Sequence, residues 1–352
     1  GTVILSAFTT KLAIYALARA FPGTDILIPI GLVMTIFPII YIVLENDLRK
    51  VLAYSLNSQL GFMVIGVGVG TELALNGTAA HAFVHIMYKS LLFMCMGAVL
   101  YRTGTTRASE LGGLFRSMPV TMIFCLIGAL SIAGFPLTGG FISKAMISSA
   151  AVEQGLFGLW LLLLFVRAGI MDHAGLKVPF FTFFAKDRGL RVKEAPLNML
   201  IAMGFAAFFC IGLGVFPNLM FKMLPYEPVY NPYSFGHVMT AVQLLVFALA
   251  AFVLLLRYGL YPMERRSVIL DFDWVYRVGL KRLALWLGRL IGAFWTWLLG
   301  IAQGIVSRVI CAFTLTHGNG RIMARTTASS TAVTIIVAVL GGLVIFFYRF
   351  LQ

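Results

Sequence analysis

Apolar runs about as long as a bilayer core is thick alternate with short polar connections along most of the chain. A helix needs roughly 20 apolar residues to cross about 30 Å of hydrocarbon. The pattern therefore predicts an all-α, polytopic membrane bundle of about nine or ten spans. The predicted spans are Val3–Ala20, Ile26–Leu44, Val51–Gly70, Gly77–Tyr101, Pro119–Ala150, Gly155–Phe184, Leu197–Phe216, His237–Leu256 and Ser329–Tyr348.

The fifth run contains a segment that a continuous helix would disfavour. After Ala133 come three glycines and a proline within seven residues: Gly134, Pro136, Gly139 and Gly140. Both residue types weaken a helix, and proline also lacks a backbone N–H. Because hydrocarbon offers no water to an open backbone, we expect a helix break that faces protein or a wet cavity, as at transporter ion sites. The alternative is a simple proline kink.

The fourth predicted span carries three titratable side chains at positions i, i+4 and i+8, namely His81, His85 and Lys89. At 3.6 residues per turn they form one stripe on one helix face. Such groups are costly inside a membrane unless the face is wet or paired. Since histidine titrates near neutral pH, the stripe predicts a proton path, which Tyr88 and Ser90 would extend. The alternative is structural, with the histidines bonded to backbone and Lys89 paired with a carboxylate.

Two further lysines lie inside predicted spans. Lys144 follows the glycines in the first turn of a half-helix, and Lys11 lies near the middle of the first span. A lysine that can lose its proton near neutral pH can relay one. Alternatively, Lys11 is the fixed partner of a carboxylate beyond this chain. The first five spans hold no mid-span carboxylate, which argues against a sodium cage, since hard cations prefer oxygen ligands. In the sixth span, Arg167, Asp172 and His173 are interpreted as a local ion pair.

Composition supports the membrane assignment. The 352 residues are 60% hydrophobic and 11% charged, whereas soluble domains carry about 25% charged residues. The net charge of +14 comes without a nucleic-acid-binding motif, so no nucleic-acid partner is expected. It fits basic connections at an anionic lipid surface. We expect no cofactor and no metal, since the cysteines lack metal-binding spacing: Cys95, Cys125, Cys210 and Cys311.

Basic residues mark alternate connections. The connections after the second, fourth, sixth and eighth spans are rich in arginine and lysine, while the others hold few. By the positive-inside rule these connections are cytoplasmic, and Gly1 starts on the cytoplasmic side of a cell (inner or plasma) membrane. Residues 274–313, rich in tryptophan and arginine, are predicted to lie along the cytoplasmic interface. The alternative is a conventional crossing at Leu290–Val306.

Three motifs occur in an order typical of one family. They are the segment Asp47–Phe62, the stripe of His81, His85 and Lys89 followed by Ser90–Phe93, and Gly134-Phe-Pro with Gly-Phe-Ile-Ser-Lys144. On these motifs, about residues 1–260 resemble the antiporter-like proton-channel subunits shared by respiratory complex I, related hydrogenases and Mrp-type Na⁺/H⁺ antiporters. The tail resembles a much shorter form of the lateral arm of the longest complex I channel subunit, and it also looks like the tails of extended D-type antiporter subunits.

The resemblance implies a fold of two inverted five-span repeats, of which this chain would carry the second. The family's proton relay would map onto Lys11, His81, His85, Lys89 and Lys144. Because a key glutamate and a partner lysine of the first repeat are missing, we expect the C-terminal part of a longer protein. The implied divisions are 1–25 (last helix of the first repeat), 26–184 (second repeat), 185–258 (two further spans), 259–327 (cytoplasmic-side amphipathic segment) and 328–352 (final span).

In function, the resemblance implies a proton-translocating subunit of a multisubunit monovalent cation/proton antiporter. The alternatives are a proton-pumping subunit of a complex I-type NADH–quinone oxidoreductase or membrane hydrogenase, and an inactive structural remnant. Partners would be other membrane subunits, the lipid bilayer, protons and, in an antiporter, Na⁺. A redox subunit with its own cofactor is disfavoured, since the sequence has no nucleotide-binding loop and no cysteine cluster. Any translocase activity would belong to the complex, because the chain shows no active site of its own.

Overall fold

A computed structural model describes residues 1–261, 274–318 and 329–350. Within these ranges the chain is helical apart from turns, connections and an isolated bridge between Asp47 and Arg107. Nine of the described helices are long and apolar enough to cross a membrane. The all-α membrane architecture predicted from the hydrophobic runs is therefore confirmed.

The chain forms two units, Gly1–Ile269 and Leu270–Gln352. The second unit contains α10 (Val275–His317) and α11 (Ser329–Phe350), and no described residue of α10 is buried. The placement of residues 274–313 along the membrane interface stays a prediction. The helices are α1 (Thr2–Ala20), α2 (Leu27–Leu44), α3 (Leu48–Val69), α4 (Glu72–Thr103), α5 (Pro119–Ala133), α6 (Gly139–Glu153), α7 (Phe157–Phe184), α8 (Leu197–Val215), α9 (Phe235–Arg257), α10 (Val275–His317) and α11 (Ser329–Phe350).

The core of the first unit is built on α3, α4 and α6, which carry long runs of buried residues. Two glycines bring α2 against α3, because a Cβ on Gly61 would lie only 2.6 Å from the carbonyl oxygen of Gly31. Asp47 and Thr71 begin α3 and α4 by accepting a backbone N–H of the first turn. Such caps satisfy donors that have no partner inside the helix.

The arginine- and lysine-rich connections meet at one end of the first unit. The α2–α3 connection touches the α4–α5 connection, where Leu48 N donates to the Thr106 carbonyl at 3.0 Å. The α7–α8 connection lies against the same segment, since a Cβ on Gly112 would be 2.2 Å from the carbonyl oxygen of Lys186. These three basic connections, which alternate with less basic ones along the sequence, therefore lie together at one end of the first unit.

The side chains of Lys177 and Glu194 form hydrogen bonds with helix termini at this end. Lys177 Nζ donates to three carbonyls at the C-terminus of α2, at 3.2, 3.0 and 2.8 Å. The carboxylate of Glu194 accepts from Val120 N at 2.8 Å and from Thr121 Oγ1 at 2.6 Å at the N-terminus of α5. Each side chain thus satisfies helix-terminal groups that lack a partner in their own helix.

The fifth predicted span consists of α5 and α6, with residues 134–138 between them. Gly134 ends α5 with a left-handed φ of +80°, a conformation that favours glycine. Pro136 is buried, while Phe135 and Leu137 are 41% and 56% exposed. The side chains of the break therefore alternate between the surface and the core.

Gly139 and Gly140, which the sequence assigned to the break, instead form the first turn of α6. Their small size serves packing, because a Cβ on Gly140 would lie 1.9 Å from the carbonyl oxygen of Ser131 in α5. The break is therefore shorter than expected, and α6 starts in direct contact with the last turn of α5.

Candidate functional site

His81 joins three helices of the core. The residue lies on α4 and is fully buried. Its Nε2 lies 3.1 Å from Gln59 Oε1 on α3, and its Nδ1 lies 2.9 Å from Ser143 Oγ on α6. Because the amide oxygen only accepts, a neutral ring with its proton on Nε2 satisfies both contacts, and the Ser143 hydroxyl then donates to Nδ1.

Gln59 is a shared acceptor beside the histidines. Tyr88 OH also donates to Gln59 Oε1, at 3.0 Å. His85 contacts this group through its ring, whose centroid is 6.0 Å from that of His81 and 5.1 Å from that of Tyr88. Among the described residues, neither ring nitrogen of His85 has a hydrogen-bond partner, and neither does Gln59 Nε2. The predicted stripe is thus present, but its hydrogen bonds run through His81 rather than through both histidines.

Lys89 ends the stripe on α4. Its side chain is fully buried, and Nζ donates to Ser55 Oγ on α3. The Ser55 hydroxyl in turn donates to the Leu52 carbonyl at 3.0 Å. In the described ranges no carboxylate forms an ion pair with Lys89. The structural alternative, a lysine held by a carboxylate, therefore has no support within these ranges.

Lys144 lies on α6, one residue after the serine that contacts His81. Its Nζ donates to the carbonyl of Ile132 on α5. In a continuous helix that carbonyl would accept the N–H of residue 136, but Pro136 has none. The proline thus frees a backbone acceptor inside the core, and the lysine uses it. The break and Lys144 are therefore parts of one arrangement.

Arg167 on α7 lies close to Lys144. A Cβ on Gly134 would lie 3.4 Å from Arg167 Nη2 and 3.6 Å from Lys144 Cδ, so the two cationic side chains flank that glycine. Arg167 is only 5% exposed. Within the described residues, its Nε and Nη2 have no hydrogen-bond partner, and neither does Asp172 Oδ1.

The local ion pair expected for Arg167 and Asp172 is therefore wrong. Residues 171–176 of α7 form a π-helix, so the angular spacing of side chains changes between Arg167 and Asp172, and the expectation of a regular helical spacing does not apply there. The side chain of His173, the third member of that expectation, lies outside the described part of the structure.

Lys11 stands apart from the other relay candidates. Its Nζ donates to the Ser6 carbonyl at 2.9 Å and to Thr10 Oγ1 at 3.2 Å, both in its own helix α1. It also lines a cavity of about 470 Å³ between α1 and α4, together with Ala79 and Phe83. The structure thus brings Lys11 to a cavity beside α4 but into no direct hydrogen bond with the stripe.

A second cavity opens at the end of the bundle opposite the basic connections. It encloses about 490 Å³ between α6, α7, α9 and the connection before α9, and Arg167 lines it. Ser149 Oγ lies 3.2 Å from Tyr230 OH and 3.3 Å from His237 Nε2 on this wall. Burial raises the pKa of Tyr230, so its phenol remains a neutral hydrogen-bond donor. We call this space the Arg167 cavity.

The sequence analysis did not assign Gln59 or Ser143 to the relay, and it paired Arg167 with Asp172, a pair that does not form among the described residues. The sequence signal that could have identified Gln59 and Ser143 was that each is a polar residue inside a predicted span. No group of three or more histidine, cysteine or acidic side chains that would hold a metal occurs in the described ranges.

Comparison with known proteins relates this arrangement to one family. Residues 1–171, just under half of the chain, match the family described as NADH:quinone oxidoreductase/Mrp antiporter, TM. This segment is similar to that antiporter-like family. The matched segment runs from α1 into α7 and includes the α4 stripe, the break and Lys144. The family resemblance predicted from the three motifs is therefore confirmed.

The similar proteins include a dehydrogenase subunit and a Na(+)/H(+) antiporter subunit. F(420)H(2) dehydrogenase subunit L of Methanosarcina mazei is 32% identical over 253 residues, which make up 66% of this chain and 38% of that protein. A Na(+)/H(+) antiporter subunit of Alkalihalophilus pseudofirmus is 37% identical over 162 residues, or 43% of this chain and 33% of that protein. The chain thus spans about a third of the length of these relatives.

A solved structure supports the fold. A chain in the structure of the membrane-bound sulfane sulfur reductase (MBS), an archaeal respiratory membrane complex, matches with a TM-score of 0.60. The match covers 97% of this chain and 62% of that chain, at 23% sequence identity. At this identity the likeness establishes the multi-pass helical membrane fold alone.

Proposed function

We propose that this chain carries one half-channel of a proton-translocating subunit in a multisubunit monovalent cation/proton antiporter. The observation that carries the proposal is the hydrogen-bonded bridge from Gln59 through His81 to Ser143, the neighbour of Lys144. A ring that accepts at one nitrogen and donates at the other passes a proton by exchanging the two roles. The amide oxygen of Gln59 accepts a hydrogen bond but takes up no proton, so it orients the His81 ring. Protons would pass between the ring and Ser143 on α6 at Nδ1, and through water at Nε2.

In this proposal the relay sites are Lys11, His81, His85, Lys89 and Lys144. Lys89 and Lys144 each bond to an uncharged oxygen, so each holds its position without a counter-charge that would fix its proton. Water bridges the remaining gaps, and the unpartnered nitrogens of His85 and Gln59 are the groups it would join. Lys11 receives or delivers protons through the cavity that it lines.

We further propose that the basic end of the bundle faces the cytoplasm and that the Arg167 cavity opens outward. The support is the meeting of the basic connections at one end, combined with the positive-inside rule. The protein would then lie in the cell membrane with Gly1 on the cytoplasmic side. Its partners would be the other membrane subunits of the assembly, and its transported ions protons and Na⁺.

A second candidate is a proton-pumping subunit of a redox complex. It is favoured by the similarity to a dehydrogenase subunit over 253 residues. The two candidates differ in what drives transport. In vesicles that contain the complete complex, an imposed Na⁺ gradient moves protons in an antiporter without any redox substrate, whereas the redox candidate requires an electron donor and acceptor.

The relay is tested by substitutions in the complete complex, with proton transport normalised to assembled protein. We expect Lys144→Ala and Lys89→Ala each to abolish transport while assembly persists. The double variant should be no worse than either single variant, since the sites act in series. Lys144→Arg should also fail, because a guanidinium does not release its proton.

Lys50→Ala is the matched control, since Lys50 is 55% exposed and, among the described residues, forms an ion pair only with Glu45, at 3.9 Å. It should leave transport unchanged. Near-normal transport by Lys144→Arg together with Lys89→Ala would instead identify the two lysines as scaffolding. The chain would then be a structural remnant, and the proposal would fail.

A further inference from the structure

The guanidinium of Arg167 lacks the compensation that a buried charge requires. In the described ranges, no acidic side chain lies within ion-pair distance of it, and two of its nitrogens have no hydrogen-bond partner. The neighbouring charged side chain at Gly134 is another cation, Lys144. Since arginine stays protonated, its charge is not removed by loss of a proton. An uncompensated charge of this kind strongly destabilises a core.

The walls of the Arg167 cavity supply further donors. The hydroxyl of Ser148, which is 6% exposed, has no hydrogen-bond partner among the described residues. Ser149, Tyr230 and His237 form a hydrogen-bonded group on the same cavity. A guanidinium, hydroxyls and an imidazole together make a donor-rich surface. The positive charge of Arg167 together with these donors suits such a surface to an anion.

We propose that the Arg167 cavity is a binding site for a small monovalent anion, a halide or a simple carboxylate, held by Arg167 and the hydroxyl of Ser148. The volume of about 490 Å³ admits such an ion with water around it. The ion supplies the missing counter-charge beside Lys144. The site concerns binding and does not depend on the proposed proton translocation.

Glu153 is the competing occupant. Its carboxylate lies at the exposed end of α6 and lines the same cavity. It forms no ion pair with Arg167 in the described structure. A swing of this side chain into the cavity would provide an internal counter-ion, and the test must separate the two cases.

Trp160, which lines the cavity, provides the measurement. The full chain is studied in lipid nanodiscs after the other tryptophans, which all lie between residues 274 and 297, are replaced by phenylalanine. Iodide then serves as the anionic probe that quenches Trp160, at an ionic strength held constant with sulfate. We expect saturable quenching that chloride or formate reverses. Reversal by chloride alone assigns a halide site, and reversal by formate as well assigns the wider carboxylate class.

Arg167→Gln should weaken iodide binding at least about tenfold, because it removes the charge-assisted hydrogen bonds. Ser148→Ala should weaken it by a smaller factor. Quenching by uncharged acrylamide should stay unchanged in both variants, which shows that access to Trp160 is intact. The matched control is Arg191→Gln, since Arg191 is an exposed arginine paired with Asp187.

Strictly linear iodide quenching of the unsubstituted cavity would overturn the proposal. So would saturable quenching with the same affinity in Arg167→Gln and Ser148→Ala. If saturation appeared only in Glu153→Gln, the counter-ion of Arg167 would be Glu153 itself, and the cavity would not be an anion site.

Discussion

Gly140→Ala tests whether the close contact between α5 and α6 positions Ser143 against His81 in the proposed relay. A Cβ at this position would lie 1.9 Å from the Ser131 carbonyl oxygen, whereas packed heavy atoms prefer about 3.5 Å. The start of α6 must therefore move by about 1 Å or more. The His81–Ser143 contact, now 2.9 Å, would then exceed the range of a good hydrogen bond.

The expected loss of stability is about 1–3 kcal/mol from overpacking, less about 0.5–1 kcal/mol that alanine restores to a helix. Proton transport should fall further, by up to about 100-fold, since a shift of 1 Å breaks a positioned contact. Stability is measured as the thermal midpoint of the purified full chain in detergent. Transport is measured in vesicles with the complete complex.

Gly97→Ala is the control for this pair of measurements. Gly97 lies inside α4, and a Cβ there would meet nothing within 4 Å. The substitution should therefore raise stability by up to about 1 kcal/mol and leave transport intact. If Gly140→Ala matched Gly97→Ala in both measurements, the argument from the tight α5–α6 contact would be refuted.

Two further substitutions separate the relay from the scaffold. Ser143→Ala removes the hydroxyl that contacts His81 Nδ1, so transport in vesicles should drop about tenfold while the free energy of unfolding falls by only about 1 kcal/mol; unchanged transport would remove Ser143 from the path. Glu194→Ala deletes the cap of α5, so the thermal midpoint should fall by the equivalent of about 1–2 kcal/mol. Its transport per assembled protein should persist, and a selective loss of transport would contradict a purely structural role for Glu194.

The hydrophobic pattern predicted the spans well because bilayer thickness fixes their length. The bounds of α8, for example, differ from the predicted Leu197–Phe216 by one residue. The fourth span is longer than its apolar run, since α4 extends from Glu72 to Thr103. Its extra turns are held by a Thr71 cap and a left-handed Gly104, which are local features that hydropathy does not register.

The site was predictable within one helix but not between helices. The spacing of His81, His85 and Lys89 defines a face of α4, because helical periodicity alone places side chains on faces. Periodicity does not show which helix packs against that face, so the contact between His81 and Ser143 could not be predicted from the sequence. The same limit explains the wrong partner for Arg167. It also explains Gly140, since a glycine that allows close packing and a glycine that ends a helix look alike in sequence.

The bond from Lys144 to the Ile132 carbonyl has a consequence for the speed of a relay. A lysine amine that has given up its proton still carries two hydrogens, so it continues to donate to that carbonyl. Its lone pair becomes available to the next proton while the side chain keeps its place. In the proposed relay, uptake and release of a proton by Lys144 would therefore require no rearrangement of the broken helix. A site of this kind is reset by the arrival of a proton alone, and its turnover is set by the supply of protons from its neighbours.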